Sequence, residues 1–151
     1  MAPAQASLLA KLDTQERVRD FLTNAVASGR ASHAYLFLGA PGAGKLDAAW
    51  ALAQAFLCEQ DGCGACDSCV RVSRHTHPDV HYYTPESATG YLIAQTRELL
   101  DDVPLAPIRA KAKVYIIDRA EQLRANTANA LLKTLEEPPE GVMFILLGTS
   151  A

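Results

Sequence analysis

Two stretches of this chain place chemically capable residues at functional spacings. The first is Gly39-Ala40-Pro41-Gly42-Ala43-Gly44-Lys45-Leu46. It follows the phosphate-binding pattern G-x-x-x-x-G-K-[S/T] up to its last position. Backbone N–H groups in such a loop point inward at phosphate oxygens, and the helix that follows adds the positive end of its dipole. Lys45 would reach the β- and γ-phosphates. The final hydroxyl of the pattern binds Mg²⁺, and Leu46 has none. The loop is therefore suited to surround ATP or ADP and poorly equipped to hold Mg²⁺.

The second stretch contains all four cysteines of the chain, Cys58, Cys63, Cys66 and Cys69, spaced C-x₄-C-x₂-C-x₂-C. Thiolates at this spacing can wrap one tetrahedral Zn²⁺ at about 2.3 Å. Gly62 and Gly64 give the backbone room to fold around an ion. Paired disulfides and an iron–sulfur cluster are the alternatives. Four thiolates close the coordination sphere, so a zinc here is structural and not catalytic. His75 and His77 follow the cluster and are read as loop histidines that zinc does not need.

An acid is expected opposite the glycine loop. Val114-Tyr115-Ile116-Ile117-Asp118 is an apolar run ending in one, but the acid that should follow is replaced by Arg119. Asp118 remains as the remnant of the group that orients Mg²⁺ through water. Glu121 lies three positions further on and is read as a solvated helix-start charge. Losing a general base costs on the order of 10²–10⁴ in rate. Losing a direct magnesium ligand also weakens neutralisation of the transferring phosphoryl group. The two lesions predict negligible hydrolysis, while the loop amides and Lys45 still favour binding.

Pattern and punctuation supply the elements that carry these residues. Asp13-x-x-Glu16 has the form of a capping box, followed by a helical stripe of Val18, Phe21, Leu22, Ala25 and Val26 that Gly29 ends. Ala34–Leu38 is a buried strand leading into the glycine loop, and Lys45–Leu57 is the helix after it. His81–Thr84 is a short strand and Leu92–Val103 a helix, with Thr96, Leu99, Leu100 and Val103 on one side. Asn126 is placed as the cap of a helix through Leu131, Leu132 and Leu135, which Pro138-Pro139 stops. Val142–Leu147 is a final apolar strand. Strands alternating with helices imply an α/β fold, a parallel sheet flanked by helices. The chain stops soon after that strand with no helix to cover its exposed side, as a truncated domain would.

The composition excludes some partners. The 151 residues are 49% apolar and 21% charged with a net charge of −3, so neither DNA nor an anionic membrane is attracted globally. Any DNA contact must come from a local cluster or from helix N-termini. No apolar run approaches the roughly 20 residues of a membrane span. The first residues lack an export signal, which makes the cytoplasm the expected compartment.

Taken together, these segments resemble the first domain of bacterial clamp-loader subunits, in the AAA+ class of P-loop ATPases. The resemblance runs from about Leu12 to Thr149. It rests on Gln15-Glu16, His33–Phe37, the loop, the cysteine cluster, Thr96–Leu100, Lys113–Asp118 and Asn129–Pro139, the last being the most specific. Leu46, Arg119 and Thr76-His77-Pro78-Asp79 are similar to the delta prime branch, which often loses the catalytic groups. They are unlike the tau/gamma motor branch, which keeps them. The resemblance implies residues 1–151 as an incomplete AAA+ domain with a zinc module at 58–69 and with lid and collar domains absent. It implies a non-hydrolysing partner of tau/gamma and delta in a loader that places the sliding clamp on primed DNA. An active tau/gamma-type motor is the alternative. Family position also makes Thr149 a candidate nucleotide-sensing residue, and Arg97 a candidate contact to the DNA backbone.

Overall fold

The computed structural model describes residues 8, 12, 16–40 and 42–149. Asp13, Gln15 and Pro41 lie outside the described residues, so the capping box and one loop position have no structural counterpart here. The elements are α1 (Glu16–Ala27), β1 (Ala34–Leu38), α2 (Lys45–Leu57), α3 (Asp67–Ser73), β2 (Val80–Tyr83), α4 (Ile93–Asp102), β3 (Lys113–Ile117), a 3₁₀ turn (Ala120–Gln122), α5 (Ala125–Glu136) and β4 (Val142–Gly148).

The four strands form one parallel sheet in the order β1-β4-β3-β2. Alternation along the two central strands divides the core. Val114 and Ile116 of β3, with Met143, Ile145 and Leu147 of β4, pack against α1 and α2. Tyr115 and Ile117, with Val142 and Phe144, face the other way and meet Leu99 of α4, Val103 just past it and Leu131 of α5. A strand covered on both faces needs apolar residues at every position, and these two are nearly continuous apolar runs.

Helix α2 is buried almost all round, from Ala48 to Ala55 and at Leu57. Its alanines are too small to hold the helix off the sheet, so the glycine loop that starts it sits tight against the strand ends. Gly42 and Gly44 have φ of +84° and +93°, a region that side chains with a Cβ rarely adopt.

Two expectations are corrected. The last strand has no exposed side: β4 is an inner strand, paired with both β1 and β3, and the less covered strand is β1, where Leu36 and Leu38 are exposed. Strand order, which periodicity does not encode, causes the difference. Asn126 is not the cap of α5 either. Arg124 holds that position without a side-chain bond, and Ala128 donates its amide to the Arg124 carbonyl. Asn126 lies inside the first turn, where its Oδ1 accepts the Thr127 amide at 2.9 Å. Helix α3, which is capped by Cys66 and contains Cys69, was not anticipated.

Candidate nucleotide site and metal centre

Parallel strands deliver their following loops to the same edge of the sheet, where ligands of open α/β sheets bind. The glycine loop leaves β1, Asp118 follows β3 and Thr149 follows β4. These segments line one cavity of about 590 Å³ that includes Gly42, Gly44, Lys45, Leu46, Asp118, Arg119 and Thr149. Gly39 ties the loop to β4 by donating its amide to the Gly148 carbonyl at 3.2 Å, and the Ala43 amide reaches the Ala40 carbonyl at 3.1 Å. Ala40 is exposed.

Lys45 lines the cavity with its ammonium tethered to the strand ends. Its Nζ donates to the carbonyls of Gly39 at 2.7 Å and Gly148 at 2.8 Å, clasping the ends of β1 and β4. These bonds use two of the three ammonium N–H groups, which leaves one for a phosphate. Leu46 presents a partly exposed apolar side chain where the pattern calls for a hydroxyl. Asp47, which sequence reasoning passed over, lies in the first turn of α2 and lines the same cavity. With Asp118 and Glu121 it opposes Lys45 and Arg119, so the lining carries three carboxylates against two cations.

Asp118 is already engaged by its own chain. Its Oδ2 accepts the Tyr82 hydroxyl at 3.0 Å and its Oδ1 accepts the Arg119 amide at 2.9 Å. Tyr91 also donates its hydroxyl to the Asp118 backbone carbonyl. Arg119 has φ of +49°, a left-handed conformation uncommon outside glycine. Glu121 is the exposed helix-start charge expected of it, in the first turn of the 3₁₀ helix, and it also lines the cavity. Arg97 is exposed on α4.

The cysteine cluster has metal-site geometry. The four Sγ atoms all lie within 4.8 Å of one another. Cys63 and Cys69 are 4.0 Å apart at sulfur, and Cys58 and Cys66 are 3.8 Å apart. A tetrahedron with bonds of about 2.3 Å has edges of about 3.8 Å. These separations are nearly twice the roughly 2.05 Å of a disulfide. Amides surround the sulfurs: Gln60 and Cys63 donate to Cys58, Ala65 and Cys66 donate to Cys63, and Cys69 donates to Cys66. Such donors stabilise thiolate charge. The Ala65 and Cys66 amides pull the Cys63 thiol down to about 7, while burial pushes Cys66 and Cys69 up. The donor set fits Zn²⁺, which would cross-link the end of α2 to the start of α3.

The Thr76–Asp79 segment forms part of this module's support. Asp79 is fully buried, and its carboxylate accepts the amides of Ile108, Arg109 and Ala110 at 2.6, 2.7 and 2.6 Å. Burial works against its charge, but the three amides prevail and hold the carboxyl below its ordinary value. His77 is buried, with its Nδ1 accepting the Asp79 amide at 3.0 Å, and burial depresses its basicity. It is a loop histidine, as expected, whose ring is buried. The Arg109 side chain continues to Asp67 on α3, with Nη2 at 2.7 Å. The segment that resembled a family marker is thus a clamp joining the loop before β3 to the cysteine module.

A parallel sheet with a glycine loop after β1 and an acid after β3, two strands over on the same edge, defines a P-loop NTPase-like fold. Residues 14–151 match the family model described as DNA polymerase III, delta subunit, and the chain belongs to that family. It is 41% identical over 138 residues to DNA polymerase III subunit delta' of Bacillus subtilis, covering 89% of this chain and 42% of the relative. It is 43% identical over 139 residues to DNA polymerase III subunit tau of Escherichia coli, covering 89% of this chain and 21% of the relative. The chain thus spans less than half the length of either protein. In fold it is similar to a DNA polymerase III gamma subunit-related protein from Thermotoga maritima, with a TM-score of 0.57 at 20% identity over 86% of this chain and 38% of the other. Among the described residues, no helix is long and apolar enough to cross a membrane.

Proposed function

We propose that this chain is the nucleotide-fold domain of a clamp-loader subunit that supports its ATPase neighbours without hydrolysing ATP itself. The observation that carries this is the state of the magnesium position. Leu46 offers no oxygen, Arg119 replaces the second acid, and each oxygen of Asp118 already accepts a hydrogen bond, from Tyr82 and from the Arg119 amide. Residues 39–46, with Thr149, form a phosphate-binding remnant that holds ATP or ADP weakly and without a firm magnesium ligand. Cys58, Cys63, Cys66 and Cys69 hold a structural zinc. The partners are the tau/gamma and delta subunits and, through them, the sliding clamp and primed DNA. The cytoplasm is the compartment. Residues 1–151 form an incomplete AAA+ domain I, with the lid and collar domains lying outside it.

One observation favours a second reading, a motor of the tau/gamma type: Glu121 lines the same cavity as Asp118 and could act as the base. The identities of 41% to a delta' subunit and 43% to a tau subunit do not choose between the branches. The test is Mg·ATP binding and turnover by the purified gene product, alone and without DNA. Binding without turnover, or neither, supports the stator reading. Magnesium-dependent turnover that Glu121→Gln abolishes establishes the motor.

A further inference from the structure

Tyr82 belongs to none of the sequence motifs, yet it touches the acid of the nucleotide cavity. Its hydroxyl donates to Asp118 Oδ2 at 3.0 Å. Its ring lies against Trp50, with centroids 6.0 Å apart and planes at 37°. Trp50 is the chain's single tryptophan and sits on α2, the helix that begins at Lys45. It is stacked in turn by His75, with centroids at 3.9 Å and planes 9° apart.

His75 is held for that contact by the end of the cysteine module. It adopts φ of +58°, and its amide donates to the Val72 carbonyl at 3.0 Å, at the end of α3. Helix α3 starts at Cys66 as its cap and contains Cys69. A second tie joins the same two helices, because the buried Gln54 of α2 donates its Nε2 to the Cys69 carbonyl at 3.0 Å. The path therefore runs from Cys66 and Cys69 along α3 to His75, and from His75 through ring contacts and a hydrogen bond to Trp50, Tyr82 and Asp118.

We infer that Tyr82 is a positioning residue that holds the Asp118 carboxylate, and that the cysteine module braces Tyr82 through the His75–Trp50 stack. The module then sets the geometry of the nucleotide cavity from behind, through the helix that carries the phosphate loop. This coupling goes beyond the stator reading and does not depend on turnover, so ATP hydrolysis by the wild type would overturn that reading alone.

The groups facing the phenol are Asp118, Arg119 and Thr84. Burial, followed by the hydrogen bond to Asp118, raises its pKa above the ordinary phenol value. The experiment follows the ionisation of Tyr82 by ¹³Cζ NMR in the zinc-loaded, tyrosine-labelled protein, with the resonance assigned from Tyr82→Phe. Asp118→Asn should lower the midpoint. His75→Ala, with its zinc content unchanged, should lower it in the same direction and shift the Trp50 emission. If His75→Ala loses zinc, Trp50→Phe with zinc retained takes its place and should give the same fall. An unmoved midpoint in Asp118→Asn refutes the positioning role. A fall in Asp118→Asn with none in the zinc-loaded stacking variant refutes the brace.

Discussion

Replacing Asp79 by alanine would deprive three backbone amides of the loop before β3 of their buried acceptor. In the native protein Ile108, Arg109 and Ala110 all donate to a carboxylate with no exposed surface, at 2.6–2.7 Å. A hydrogen bond to a charged group contributes about 1.5–3 kcal/mol, and an orphaned buried donor costs about 1–3 kcal/mol. Loop relaxation recovers part of the sum, so Asp79→Ala should lose about 4 kcal/mol. Asparagine keeps one oxygen but turns an NH₂ group toward a donor, so Asp79→Asn should lose about 2–3 kcal/mol. Both are large against the roughly 5–15 kcal/mol of a typical domain. Urea unfolding of the zinc-loaded proteins is the assay, with unchanged m values showing that the change is one of stability.

The pH dependence supplies a second check. The folded pKa of Asp79 lies below its ordinary value of 3.8. Its contribution is therefore fully present above that unfolded value and is lost as pH falls through the folded one. The gap between wild type and Asp79→Asn should be flat near neutrality and close below about pH 4. A loss under about 1 kcal/mol at neutral pH would refute the clamp, as would a gap that persists in acid.

Other outcomes follow from the same structure. Protein purified without chelator should carry one zinc per chain, and Cys69→Ser should lose it, as read by a metal-binding dye. Full zinc in that variant would remove Cys69 from the ligand set. Tyr115→Phe should lower stability by about 1–2 kcal/mol, because its hydroxyl donates to Asp102, which also takes the buried Lys113 and meets His81 at 3.2 Å. A loss within error in thermal melts would show that Asp102 is held without it. If the exposed Arg97 contacts phosphate in the assembled loader, Arg97→Ala should reduce the salt slope of DNA binding by about one. An unchanged slope would mark it as a surface charge.

Most elements and both candidate sites were legible in the sequence because their signals are local. A strand, a glycine loop and an alanine-rich helix follow one another within 34–57, and their bounds in the structure match that pattern. The cysteine spacing alone foretold four sulfurs within reach of one ion. The missing hydroxyl at Leu46 and the missing acid at Arg119 are also facts of residue type. What the sequence withheld depends on strand order and on partners distant along the chain. Only the sheet order makes β4 an inner strand and leaves β1 the less covered one. Asp79 meets its amides about thirty residues later in the chain, and Tyr82 meets Asp118 36 residues away. Periodicity registers which face a side chain takes, but not which carbonyl or carboxylate lies opposite it. That is why the clamp at Asp79 and the grip on Asp118 emerged only once the strands were laid side by side.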